Sequence, residues 1–146
     1  MAITSAICNS FKQEILEAEH NFTASTGNTF NLALYDSDAS LGAGTTASTT
    51  SEEITNTSGT AYTAKGKALT SVTPTLDSST AVCDFADVSW TSASFTARGC
   101  LIFNDSHSTD ASVCAIDFGG DKTATSGTFT IQFPAASATA AIIRIA

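Results

Sequence analysis

Positive charge is what this sequence has least of. Six Lys and Arg stand against fourteen Asp and Glu in 146 residues, a net charge of -8. Coulomb repulsion then disfavours nucleic acid and anionic membrane as partners, and neither is expected. Charged residues of both signs make up 14% of the chain, against roughly a quarter in ordinary domains. Something else must keep the surface wet.

Other absences narrow the chemistry. No run approaches the roughly eighteen apolar residues of a membrane span. The start, MAITSAICNSFKQE, has no basic segment, long apolar run or cleavage site, so a secretory route is not expected. Cys8, Cys83, Cys100 and Cys114 include no Cys-x-x-Cys pair, which argues against zinc, and in a reducing cytoplasm they read as buried thiols. No Gly-x-Ser-x-Gly elbow occurs. The triplet DFG at 117–119 matches the kinase metal motif as a string alone, because the glycine-rich loop and the HRD loop are missing.

Two histidines are all that acid-base work near neutral pH could use. His20 ends a predicted helix and His107 lies in a polar turn, and both read as structural or solvent-exposed. A Cys100–His107 dyad lacks a group to orient the imidazole. Asp36 with Asp38, and Asp117 with Asp121, offer hard oxygen ligands, but without the EF-hand pattern they read as turn residues. The expectation is therefore a non-enzyme, with no catalytic, cofactor-binding or metal-binding residue assigned and no cofactor.

Hydroxyl groups are what the chain has in abundance: 24 Thr and 19 Ser. Threonine fits the wet face of a pleated sheet, which favours an extracellular or virion β protein. From about 5 to 22, Ile7, Phe11, Ile15, Ala18 and Phe22 recur at helical spacing, with Thr4 or Ser5 as N-cap. After residue 28 the period drops to two. Strands are predicted over 29–35, 67–76, 80–90, 94–103, 112–118, 127–133 and 140–146, with DSST, NDSHSTDA and GGDKTATS as turns. GTFTIQF is the clearest, placing Phe129, Ile131 and Phe133 on a core face and Thr128, Thr130 and Gln132 in water.

Residues 37–66 form a long Thr/Ser/Gly/Ala-rich loop anchored by Ile54 and Tyr62, partly ordered, with an edge strand near 53–57. No other long helical connection is present, so parallel crossovers are disfavoured. The expected fold is a single mainly β domain over 1–146: an antiparallel β-sandwich or jelly-roll-like domain with one N-terminal α-helix.

Arg98 and Arg144 are the chain's two arginines, each set among apolar strand residues. Arg98 shares a strand face with Thr96, Cys100 and Ile102. Asp84 and Asp87 on the preceding strand are its expected partners, in the same chain or across a subunit contact. Arg144 poses the same choice.

Three blocks, MAITSAICNSFKQEILEAEHNF, DFADVSWTSASFTARGCLIFND and AIDFGGDKTATSGTFTIQFP before a terminal AIIRIA, together resemble a family of small virion structural proteins of tailed bacteriophages, cyanophages among them. The resemblance spans nearly the whole chain, with the 37–66 loop its least distinctive part. It implies a structural role without active-site residues, most like a capsid decoration or cement protein. Such a protein binds the outer surface of the major capsid protein lattice as a homo-oligomer, a dimer or trimer, and is released from the cytoplasm by lysis. A tail, fibre or baseplate adhesin for a receptor or glycan is the alternative. The stripe of Ile7, Phe11 and Ile15 and the 37–66 loop are the expected contact elements.

Overall fold

A computed structural model describes residues 2–55 and 59–146. The protein is mainly β with one short N-terminal helix. The elements are β1 (Ala6–Ile7), α1 (Asn9–Leu16), β2 (Phe30–Tyr35), β3 (Lys67–Ala68), β4 (Ser71–Asp77), β5 (Thr80–Phe85), β6 (Val88–Asn104), β7 (Ala111–Ile131) and β8 (Ile143–Ile145). They build a five-stranded sheet in the order β1-β7-β6-β2-β3 and a three-stranded sheet in the order β4-β5-β8, with every pairing between these strands antiparallel.

The helix is shorter than its apolar spacing predicts. Residues 6 and 7 pair with Ala115 and Cys114 in the large sheet, and the N-cap is extended Cys8, which makes no side-chain capping bond. Thr4 and Ser5 lie upstream of the cap; the Ser5 hydroxyl accepts from the Asp117 amide instead. At the other end the Glu19 amide donates to the Glu14 carbonyl at 3.0 Å and Ala18 to Ile15 at 3.3 Å, while Ala18 adopts φ 63. This is a Schellman closure with alanine in the left-handed position. Phe22 reaches the core from the loop beyond, its ring 4.3 Å from that of Phe30.

Two predicted strands divide between the sheets. The 67–76 segment becomes β3 in the large sheet and β4 in the small one; the 80–90 segment ends as β5, and the chain changes sheet at Ala86–Asp87 before β6. The crossings are tied together where the Ala86 amide donates to the Thr70 carbonyl at 3.0 Å. At the approach to β3, Gly66 has φ 68, and a Cβ there would lie 1.8 Å from the Leu32 carbonyl oxygen, so only glycine fits.

Elsewhere, strands predicted as separate fuse. β6 and β7 form one long hairpin whose connection is 105–110. The predicted turn GGDKTATS runs inside β7, where register shifts opposite Ala97 and Gly99 and φ 75 at Gly119 absorb the extra residues as a bulge.

The core lies between the sheets. Phe30 from the large sheet and Phe85 from the small one have ring centroids 5.8 Å apart, and Trp90 packs edge-on to its cross-strand partner Phe129 at 6.2 Å. Leu32 to Tyr35 are all buried, so this part of β2 is covered on both faces.

The described parts of the 37–66 loop lie close against the sheet. Ile54 donates to the Leu34 carbonyl at 2.9 Å and Asp36 to that of Glu52 at 3.1 Å, extending the β2 edge at a Tyr35–Glu53 bridge. Another part runs beside β7, with the Ser112 amide bonded to the Thr46 carbonyl at 3.1 Å and Ser48 to that of Asp110 at 2.9 Å. Residues 56 and 57 of the expected edge strand lie outside the described residues.

Candidate functional site

Arg98 finds its partners on β7. Its Nε lies 3.2 Å from Asp117 Oδ1 and an Nη 3.7 Å from Asp121 Oδ1, within one chain and across the bulge. Asp84 and Asp87, the expected partners, are used elsewhere: Asp84 accepts from the Phe85 amide and Asp87 from that of Phe133. Asp84 belongs to β5 in the other sheet, which spacing along the chain could not reveal. The Gly119 amide and then Arg98 hold the Asp117 carboxyl below its ordinary range. Arg144 donates to the Ala138 carbonyl at 2.7 Å and ties down the C-terminal segment.

His20 is a packed corner residue. Its Nε2 lies 2.7 Å from Glu14 Oε2, and its Nδ1 is 3.2 Å from the side-chain amide of buried Asn104. Donation by Asn104 Nδ2 leaves Nε2 as the ring's donor to Glu14. The His107 ring accepts from the Thr109 hydroxyl at 3.0 Å and lies 3.5 Å from a Glu19 carboxylate oxygen. Cys100 is not among its contacts. All four cysteines are buried and free, and burial pushes each thiol's pKa up. That suppresses the thiolate a nucleophile or metal ligand needs.

Asp117 and Asp121 already face the Arg98 guanidinium. Asp36, Asp38 and Glu52 bring three carboxylates within 4.8 Å of one another, and these are the described residues best able to offer hard oxygen ligands. The Asp38 amide closes a turn onto Asp36 Oδ1 at 2.9 Å, so part of this cluster serves local chain geometry.

The apolar surface offers a different kind of feature. Leu76, Ala81 and Ile145 are cross-strand neighbours spanning β4, β5 and β8, a single row on one face of the small sheet. Leu76 is 73% exposed and Ile145 59%. Along the same sheet lies a groove of about 450 Å³ reaching Phe11, Ile15 and Ala18 near α1. Phe11 itself is buried and Ile7 and Ile15 are partly buried against the core, so most of the predicted helical stripe packs within the chain.

A larger groove, about 780 Å³, opens beside β7 and is lined by Ile7, Ile116, Phe118, Ile131, Phe133 and Ile142, all half-buried. Sequence reasoning missed both surfaces, because each depends on which strand lies at an edge. One signal was present: no charged residue occurs from 123 to 143. No protein-family model, curated protein or solved structure matches this chain.

Proposed function

We propose that the chain is a structural protein of a phage virion, a capsid decoration protein that binds the outer surface of the major capsid protein lattice, associates with itself and stabilises the shell. The observation that carries this reading is the exposed row Leu76–Ala81–Ile145 on the small sheet. A contiguous apolar row on a protein otherwise dressed in hydroxyl groups marks a contact surface. Burying one Leu or Ile side chain gains about 1.5–3 kcal/mol, and repetition over a lattice multiplies modest contacts into a firm grip. A net charge of -8 suits an outer face better than one turned toward packaged DNA.

The alternative, a tail or fibre adhesin for a receptor or glycan, lacks its usual platform: Trp90, Tyr35 and Tyr62 are buried, and so is every Phe except half-buried Phe118 and Phe133.

The test adds purified protein to shells stripped of it, with host cells as a parallel arm. Saturable binding to shells that is lost in Leu76→Asp/Ile145→Asp is expected. Binding to cells and not to shells favours the adhesin, and binding to neither removes the virion reading.

A further inference from the structure

β7 does not run straight. Phe118 and Phe129 both lie on it with ring centroids 6.3 Å apart, where a straight strand from 118 to 129 would hold them roughly 35 Å apart. Two irregular stretches bend the strand between them: the bulge at Gly119, and the turn of backbone at Ser126, which has φ 48 and donates its amide to Ser94 Oγ at 2.9 Å. The strand thereby curls around the larger groove, whose lining Phe118 and Phe129 share with Ile7 and Ile142. At about 780 Å³ the hollow falls within the roughly 300–1,000 Å³ that small-molecule sites occupy. A wall bent in this way offers no regular ladder to an extended peptide, whereas hydrocarbon asks for no directed hydrogen bonds.

Among the described residues one charged side chain lines this groove, Lys122, and no carboxylate does. Lys122 stands opposite buried Ala97 in the register, so it lies on that face of the sheet, while its neighbour Asp121 reaches Arg98 on the other face. The chain's other cations are occupied within it. Lys12 donates to Asn9 Oδ1, Lys65 to Asp105 and Asp110, Lys67 to the Ser89 carbonyl, Arg98 to Asp117 and Arg144 to the Ala138 carbonyl. Lys122 is exposed and has no such partner among the described residues.

We infer that this groove binds a free long-chain fatty acid, with the hydrocarbon in the hollow and the carboxylate on Lys122 Nζ. A single anionic head on a flexible apolar chain matches a single unpaired cation at the rim of an apolar hollow. The net charge of -8 repels an anionic bilayer, which favours a free amphiphile over a membrane lipid. The inference goes beyond the virion reading and does not depend on it, since that reading rests on Leu76 and Ile145 of the small sheet.

Isothermal titration of the full chain with laurate below its micelle concentration tests it, with hydrogen exchange by mass spectrometry to locate the site. Binding should be saturable, and affinity should rise roughly threefold to fourfold for each methylene added between octanoate and laurate. Lys122→Glu should keep its melting curve and weaken laurate roughly tenfold or more. Dodecyltrimethylammonium, with the same tail and the opposite charge, should prefer the variant. Laurate should add protection at 114–118 and 128–133. Absence of saturable binding, equal affinity for octanoate and laurate, or a Lys122→Glu variant that binds laurate undiminished overturns the inference. So does uptake by phosphatidylglycerol vesicles without binding of free laurate, which marks a membrane surface. A chain that sediments at twice its 14.9 kDa mass with the groove already protected marks a second copy there and overturns it too. If the variant misfolds, the chain-length series and the exchange pattern decide. Laurate binding by protein that ignores shells leaves the inference standing and counts against the virion reading; shell binding without laurate binding does the reverse.

Discussion

Tyr62 donates its phenolic proton to Glu53 Oε1 at 2.7 Å inside the protein, and the same phenol oxygen accepts the Leu34 amide at 2.9 Å. Glu53 Oε1 also accepts the Lys65 amide at 2.6 Å. Two residues of the 37–66 loop thereby continue, at Leu34, the edge that β3 covers at Asn31 and Leu32. The ring of Tyr62 packs against both Trp90 and Phe95, with centroids 6.0 and 5.9 Å away. Glu53 and Tyr62 are thus built into the core.

Removing the phenol tests this directly. Tyr62→Phe keeps the ring and leaves the Leu34 amide without its acceptor, a loss of about 1–3 kcal/mol. Glu53→Gln retains an acceptor oxygen and should lose less than Glu53→Ala. Thermal unfolding followed by circular dichroism checks the ranking. Three unchanged melting temperatures would mean the loop is an appendage.

At the end of α1, alanine occupies a backbone position that suits glycine. Ala18 has φ 63 and is exposed, so Ala18→Gly relieves left-handed strain with little packing to lose. The variant should gain roughly 0.5–1 kcal/mol. Urea denaturation measures it, and a destabilised variant would contradict the Schellman closure.

Buried thiols should make stability fall at alkaline pH. Cys83 is pushed up from 9.0 to about 12 by burial and then by Asp84, and Cys114 to about 12 by burial, Cys8 and Cys83. Raised thiols hold their protons in the folded state at a pH where the unfolded chain releases them. Their contribution is complete below pH 9 and is lost as pH climbs from 9 toward 12. The urea midpoint should therefore fall across that window, more gently in Cys83→Ala/Cys114→Ala. Equal slopes in variant and wild type would refute the assignment. Tyr35 and Tyr62, both raised first by burial, add to the decline at its upper end.

Alternation made GTFTIQF readable without coordinates: Phe129 is buried and Thr128, Thr130 and Gln132 are exposed. The GGDKTATS segment was misread for a physical reason. Glycine, aspartate and serine favour turns because they tolerate unusual backbone angles, and a strand bulge draws on the same tolerance. The helix was overextended because Phe22 continues the helical spacing from Phe11, Ile15 and Ala18, while the closure that stops α1 rests on backbone bonds no spacing encodes. Gly99, puzzling beside Arg98, has a tertiary cause: a Cβ there would meet the Ile116 carbonyl at 2.5 Å and the Ile3 side chain at 2.8 Å.

Composition and period alone were sufficient for the β class, the antiparallel connections and the wet hydroxyl surface, since these follow from side-chain chemistry repeated every second residue. Which strand joins which sheet was decided only in three dimensions. That choice paired Arg98 with Asp117 and Asp121, placed Leu76 beside Ile145 and left one side of β7 open. Hydrogen-bond partners in a sheet are distant in sequence, and no local pattern names them.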